Sequence, residues 1–108
     1  MAISELRADS FENEVLGPKI PVLVFFAAED NEECASQERV LEELDKELSG
    51  KVKICKLDVN RQPIVALKYG IMDLPGIVVM DMGLFQKRLT GFQSRETLLE
   101  CVGDFLEK

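Results

Sequence analysis

Two stretches of the chain show the clearest pattern of apolar and polar positions. Residues 21–28, PVLVFFAA, are apolar at every position, which is typical of a central β-strand covered by helices on both faces. Over residues 33–48 the apolar positions recur with a helical period, and Cys34, Leu41 and Leu48 are spaced seven residues apart. The pattern therefore predicts a buried strand that leads into an amphipathic helix.

The rest of the chain supplies shorter elements around this pair. Ser10 is a candidate N-cap for a short helix that ends at Gly17 and Pro18. The remaining predicted elements are a strand over residues 51–59, a short helix over 63–69, a hairpin that turns at Met82 and Gly83, and a last helix capped by Ser94. The sequence leaves undecided whether a further strand precedes the first helix. The order of the other elements indicates an α/β fold. Helices would cover both faces of a central mixed sheet of four to five strands.

Length and charge restrict the organisation of the chain and its partners. A chain of 108 residues fits a single domain over residues 1–108. Twenty acidic residues against 13 basic ones give a net charge of −7, which argues against nucleic acid as a partner. No apolar stretch approaches the ~20 residues that cross a bilayer, and the first residues lack a secretory signal. We therefore expect a cytoplasmic protein with no membrane association.

The cysteine and histidine content narrows the possible chemistry. Cys34, Cys55 and Cys101 form no closely spaced pair, so they do not suggest a disulfide framework, and a reducing compartment is expected. Histidine is absent, which excludes imidazole metal sites and Ser-His or Cys-His nucleophile pairs. We expect neither a metal nor a cofactor.

Consecutive segments of the chain resemble the thioredoxin family. They are SFENEVL, PVLVFFAAE, LEELDKELSGKVKICKLDVNRQP, ALKYGIMDLPG and MGLFQKRLTGF, and together they cover nearly the whole chain. The most specific segment, YGIMDLP, is similar to the loop that holds the family's cis-proline. The resemblance implies a thioredoxin-like fold and a cis peptide bond before Pro75.

The sequence departs from this family at the segment where its chemistry resides. Thioredoxins carry Trp-Cys-Gly-Pro-Cys after the central strand. Here the same five positions read Asp30, Asn31, Glu32, Glu33 and Cys34. Asn31 stands in place of the attacking cysteine, and only the resolving cysteine remains, as Cys34. One thiol cannot close an intramolecular disulfide, so the dithiol cycle is unavailable unless Cys55 or Cys101 comes into reach.

Two further differences accompany this loss. Phe25 matches a buried aspartate thought to assist proton transfer from the resolving thiol, whereas the neighbouring lysine remains as Lys56. We expect Lys56 to extend its ammonium group to solvent or to pair with another acid. Arg39 matches a helix-kinking proline, so the helix is expected to run straighter.

Two interpretations of Cys34 follow. In the first, the segment is a well-capped helix start with an inert thiol: Asp30 or Asn31 is the N-cap, and Asp30 with Glu33 has the spacing of a capping box. Nearby acids and burial would then raise the pKa of the thiol. In the second, the helix N-terminus favours the thiolate, and Cys34 is a monothiol catalytic site that forms mixed disulfides. A divalent-cation site is a weaker alternative, because the acids lack the spacing of a calcium loop.

The other two cysteines lie in predicted regular elements. Cys55 falls within a strand, and Cys101 falls beside the apolar stripe of the last helix. We interpret both as buried small hydrophobic residues.

The resemblance also implies a partner-binding groove. In thioredoxins, backbone groups around the cis-proline pair with an extended peptide. The matching residues here are Leu74, Pro75, Gly76, Gly91 and Phe92. An exposed Phe92 beside Leu74 would form an apolar patch rimmed by acids, suited to an apolar and basic partner; alternatively, Phe92 packs under the last helix.

Two functions are consistent with these observations. The first is a non-redox module that binds a protein or peptide beside Pro75. The second is a thiol-disulfide oxidoreductase of reduced scope in cell redox homeostasis, which uses Cys34 with an external thiol.

Overall fold

A computed structural model of the chain describes residues 3–106. Its elements in chain order are β1 (Ser4–Glu5), β2 (Val22–Ala27), α1 (Glu32–Glu47), β3 (Lys53–Asp58), α2 (Pro63–Lys68), β4 (Gly76–Asp81), β5 (Leu84–Thr90) and α3 (Arg95–Leu106). The strands form one sheet in the order β1–β3–β2–β4–β5. The predicted α/β fold with a mixed sheet is confirmed, and the sheet has five strands.

The sheet is mixed because its two halves run in different directions. β1 and β2 both pair with β3 in parallel, whereas β4 is antiparallel to β2 and to β5. The β4–β5 hairpin turns at Met82 and Gly83, whose φ angles are 54° and 78°. Two successive positive φ values are those of a type I′ turn, which matches the twist of the strands it connects.

Side chains of β2 alternate between the two faces of the sheet and so divide the core into two layers. One layer contains Leu23, Phe25 and Ala27 together with apolar residues of α1 and α3. The other contains Val24 and Phe26, with α2 and the segment that leads into β2. Every residue of β2 is buried, which agrees with its uninterrupted apolar sequence.

The segment before β2 differs from the helix predicted there. Residues Ala8–Ser10 form a 3₁₀ turn and Glu12–Leu16 form a π-type turn. Ser10 does not cap the second turn, because its Oγ accepts a hydrogen bond from Arg7 N (3.1 Å) and donates one to the Arg7 carbonyl (3.1 Å). The predicted N-cap at Ser10 was therefore wrong.

Other predicted elements are present with shifted ends. The helix predicted over residues 33–48 is α1, Glu32–Glu47, and it runs without interruption past Arg39. Ser94 lies just before α3, and its Oγ accepts a hydrogen bond from Thr97 N (3.2 Å).

Among residues 3–106, none of the helices combines the length and the apolar character that a membrane span requires.

Candidate functional site

The start of α1 is held by Asn31. Its backbone is extended (φ −113°, ψ 116°), and its Oδ1 accepts a hydrogen bond from Cys34 N at 2.9 Å, which is the geometry of an N-cap. Asp30 instead has a left-handed backbone (φ 62°). The predicted capping box between Asp30 and Glu33 was therefore wrong, because the cap lies one residue later and the third helical residue is Cys34.

Cys34 points into the core rather than toward solvent. Only 3% of its surface is exposed, and it belongs to the apolar layer that contains Phe25. Burial raises the pKa of the Cys34 thiol above its ordinary value; a backbone hydrogen bond from Ala28 opposes this, and the charge of Glu33 adds to it. The thiol is therefore neutral at neutral pH.

Lys56 pairs with a carboxylate on α1, whereas the family resemblance implied an aspartate on β2, at the position of Phe25. It is the register neighbour of Phe25 across β2 and β3, and its Nζ donates a hydrogen bond to Glu38 Oε1 at 3.0 Å. Burial lowers the pKa of Lys56, but the hydrogen bond and the charge of Glu38 outweigh it, so that the net change is upward. The expectation that Lys56 pairs with another acid is confirmed.

A cavity of about 200 Å³ connects these groups. Its lining includes Asn31, Cys34, Glu38 and Lys56, together with the end of β2. Arg61 lies at the same cavity, and its guanidinium group is within 4 Å of three carboxylates, those of Glu5 (3.6 Å), Glu29 (3.8 Å) and Asp58 (3.8 Å). Within residues 3–106, no cluster of three acids or cysteines is arranged to hold a metal ion.

The predicted groove brings two distant segments together. The Leu74–Pro75 peptide bond is cis, and the Pro75 carbonyl accepts a hydrogen bond from Gly91 N at 2.9 Å. Pro75 and Gly76 are buried, whereas Leu74 is half-buried. Phe92 keeps 44% of its surface exposed, so it does not pack under α3.

The sequence of the chain is similar to that of known proteins over nearly its whole length. A family model described as Thioredoxin matches residues 2–104. Over 106 residues the chain is 37% identical to a thioredoxin of Bacillus subtilis (strain 168), which covers 98% of this chain and 100% of that protein. The chain belongs to the thioredoxin family.

Other members of the thioredoxin family agree with this assignment. A thioredoxin of Rickettsia bellii (strain RML369-C) is 33% identical over 101 residues, covering 94% of this chain and 96% of its own length. The crystal structure of chloroplastic thioredoxin z is similar with a TM-score of 0.89, over 100% of this chain and 97% of that one. Because the sequence identity to chloroplastic thioredoxin z is 24%, this structural similarity supports the thioredoxin-like fold alone.

The other two cysteines of this thioredoxin-family chain are also buried thiols. Cys55 lies on β3 and belongs to the opposite layer of the core from Cys34, so the sheet separates the two side chains. Burial raises the pKa of Cys55 to about 11. Their interpretation as buried residues is confirmed, and the sheet separates Cys55 from the cavity that holds Cys34.

Sequence reasoning missed one polar residue of this region, Gln37. It is fully buried on α1, where its side-chain amide exchanges two hydrogen bonds with the backbone of Gln93. The available signal was its position three residues after Cys34 and four before Leu41, on the apolar stripe of the helix. A polar residue at such a position must find buried partners.

Proposed function

We propose that this thioredoxin-family chain binds protein or peptide partners beside Pro75 without turning over disulfides. The observation that carries the proposal is the hydrogen bond from Cys34 N to Asn31 Oδ1, 2.9 Å long. At the position where the family has its attacking cysteine, this chain has an amide that caps α1. Exchange of a disulfide within one site needs a second sulfur, which Asn31 does not supply.

The state of Cys34 supports a binding role over a catalytic one. Its thiol is buried, and its raised pKa disfavours the thiolate that attacks disulfides. Cys55 lies across the sheet and is held protonated by burial, with a pKa of about 11. The buried thiols therefore act as core residues in this proposal.

The groove supports the kind of partner we propose. Phe92 is an exposed aromatic side chain on a segment that is hydrogen-bonded to Pro75. Exposed acids precede and begin α1, and they are Glu29, Asp30, Glu32 and Glu33. Since the chain carries a net charge of −7, an extended peptide with apolar and basic side chains complements this surface.

A second candidate function is a monothiol oxidoreductase in cytoplasmic redox homeostasis. The observation that favours it is the cavity that Cys34 shares with Lys56, whose positive charge lowers the pKa of the thiol. A single thiol could form a mixed disulfide, which an external thiol such as glutathione would then resolve. The opposing effect of burial is larger, so we favour the binding function.

Two measurements separate these functions. The first is reduction of insulin disulfides by dithiothreitol with and without the protein. The binding function predicts no acceleration over dithiothreitol alone, for both the unmodified chain and Cys34→Ser. Acceleration that Cys34→Ser abolishes would instead establish the monothiol function.

The second measurement tests the groove directly. We would titrate the protein with a fluorescein-labelled peptide of alternating leucine and lysine and follow its anisotropy. We expect Phe92→Ala to weaken binding about tenfold or more, as expected for loss of an exposed aromatic contact. Phe85→Ala is the matched control, because Phe85 is similarly exposed (49%) but lies on β5. Equal losses in the two variants, or no binding by the unmodified chain, would contradict the proposal.

A further inference from the structure

Gln37 joins α1 to the segment that follows β5 through a reciprocal pair of hydrogen bonds. Its Nε2 donates to the Gln93 carbonyl at 3.0 Å, and its Oε1 accepts from Gln93 N at 2.6 Å. The side chain of Gln37 is fully buried, with 0% of its surface exposed. A buried amide satisfied by one donor and one acceptor on the same residue is a specific contact, because each lost bond leaves a buried polar group without a partner.

This contact lies beside the proposed groove at its Gln93 end. On α1, Gln37 follows Cys34 by three residues, which places it about one helical turn along the helix. On the other side, Gln93 is the residue after Phe92. The backbone before Phe92 is fixed as well, because Gly91 N donates to the Pro75 carbonyl at 2.9 Å. Phe92 thus stands between two anchored residues.

We propose that Gln37 is a positioning residue for partner binding. By fixing the backbone of Gln93 to α1, its amide sets the direction in which the exposed ring of Phe92 meets a partner. The hydrogen bond between Gly91 N and the Pro75 carbonyl holds the residue before Phe92, so the ring is flanked by an anchor on each side. This inference rests on the proposed function, because it assigns a role to Gln37 in the same groove.

The chemistry of the contact supplies its test. A protonated glutamic acid at position 37 offers a donor and an acceptor, the pair that the amide uses in this contact, whereas an ionised glutamate has acceptors alone. Methionine has a similar length and neither strong group. Burial of the carboxyl group raises its pKa, so that the protonated form is favoured as the pH is lowered.

We would therefore compare Gln37→Glu and Gln37→Met with the unmodified chain at about pH 5 and about pH 8. The leucine–lysine peptide is the probe, and each affinity is taken relative to that of the unmodified chain at the same pH. We expect Gln37→Glu to bind within about twofold of the unmodified chain at the lower pH and about tenfold more weakly at the higher pH. Gln37→Met is expected to bind about tenfold more weakly at both.

The matched control is Gln86→Glu, the same chemical change at an exposed position on β5. It shares any effect of added charge but is not part of the Gln37–Gln93 hydrogen-bond pair, so its affinity should stay near that of the unmodified chain. A pH dependence of Gln37→Glu equal to that of Gln86→Glu would overturn the positioning role. Unchanged peptide binding by Gln37→Met would overturn it too and would leave the proposed function intact.

A second readout does not depend on the peptide. Hydrogen exchange of the Gln93 amide is measured against that of Leu98, whose N–H donates to the Ser94 carbonyl at 3.0 Å. In Gln37→Met we expect the Gln93 amide to exchange at least about tenfold faster relative to Leu98, since its acceptor is lost. If the unmodified chain does not bind the peptide, the proposed function and the positioning role for partner binding both fail, and this readout still decides whether Gln37 anchors the backbone of Gln93. Faster exchange supports the anchoring role, and unchanged exchange overturns it.

Discussion

Lys56 and Glu38 form an ion pair in the lining of the cavity that holds Cys34, with 3.0 Å between Nζ and Oε1. Lys56 lies on β3 and Glu38 on α1, so the pair ties the helix to the sheet. Both side chains are about 30% exposed (30% and 31%). Glu38 thus supplies the negative charge that the family resemblance implied for position 25, where this chain has Phe25.

Replacing Glu38 by glutamine should destabilise the fold modestly. We expect Glu38→Gln to lower the free energy of unfolding by about 1 kcal/mol, because the partly exposed ion pair is lost and Lys56 stays half-buried. The pKa of Lys56 is higher in the folded chain than in the unfolded chain, where it is about 10.5. The ion pair therefore stabilises the fold below about pH 10.5, and this contribution is lost as the pH rises through the pKa that Lys56 has in the folded chain. Urea unfolding near pH 7 and above pH 10.5 measures both effects. Glu42→Gln, at an exposed position on the same helix, is the control, and an equal loss there would contradict the assignment.

The reactivity of Cys34 should be low at neutral pH. Burial raises the pKa of its thiol, so we expect alkylation by iodoacetamide to keep rising with pH and to show no plateau below about pH 9. At pH 7 the rate should be at least about tenfold below that of glutathione. A Cys55→Ala, Cys101→Ala background restricts the reaction to Cys34. A plateau near neutral pH would mean that the thiolate is stabilised and would favour the monothiol function.

The cap at Asn31 should contribute measurably to stability. Asn31→Ala removes the acceptor for Cys34 N, and such a loss costs about 1 kcal/mol, which corresponds to a fall of about 4 °C in Tm. Asn31→Asp keeps an acceptor oxygen and should stay within about 0.5 kcal/mol of the unmodified chain. Thermal unfolding followed by circular dichroism compares the two. Equal Tm values for the alanine and aspartate variants would show that the cap contributes nothing.

A second sulfur at position 31 should restore little activity. Asn31→Cys places a thiol at the position that the family resemblance implies for the attacking cysteine, but it removes the cap, and Cys34 remains buried with a raised pKa. We expect insulin reduction to rise to at most about one-tenth of the rate of an ordinary thioredoxin. The Asn31→Cys, Cys34→Ser variant tests whether any gain needs both sulfurs. Activity close to that of an ordinary thioredoxin would show that the surroundings of Cys34 matter less than we infer.

Cys55 should make the fold less stable in alkaline solution. Burial raises the pKa of this thiol from 9.0 to about 11, so the unfolded chain ionises first as the pH increases. The free energy of unfolding is unaffected by titration of Cys55 below about pH 9, and ionisation of this thiol in the unfolded chain lowers it by about 2 to 3 kcal/mol as the pH approaches 11. Cys55→Val should remove this part of the alkaline decrease in the free energy of unfolding. An identical decrease in the two proteins would show that Cys55 does not titrate in this range.

The sequence predicted most accurately those elements whose pattern of buried residues is compatible with a single type of secondary structure. The uniform apolar run of β2 and the helical period of α1 each specify an element whatever lies beside it. The ends of elements were displaced by a residue or two, because pairing with a neighbouring strand or cap decides them. Ser10 and Asp30 are both residue types that favour the N-cap position, but neither caps the helix predicted to follow it. Ser10 is hydrogen-bonded to Arg7, and Asp30 has a left-handed backbone, so that Asn31 is the N-cap of α1.

Contacts between distant segments were the least predictable part of the site. The exposure of Phe92 depends on how α3 packs, which the sequence left as two alternatives. Gln37 was missed because its partner, Gln93, lies 56 residues away. The need of Lys56 for a carboxylate followed from its chemistry, whereas the identity of Glu38 required the folded arrangement of α1 on β3.

The burial of all three cysteines also determines how this chain meets oxidants. Cys34, Cys55 and Cys101 are buried, so the folded structure restricts the access of peroxide to their sulfur atoms, and local opening increases it. The frequency of these openings, together with the raised pKa of the Cys34 thiol, then determines how long the protein stays reduced under oxidative stress. Any change that loosens the helix start at Asn31 thereby also shortens that time.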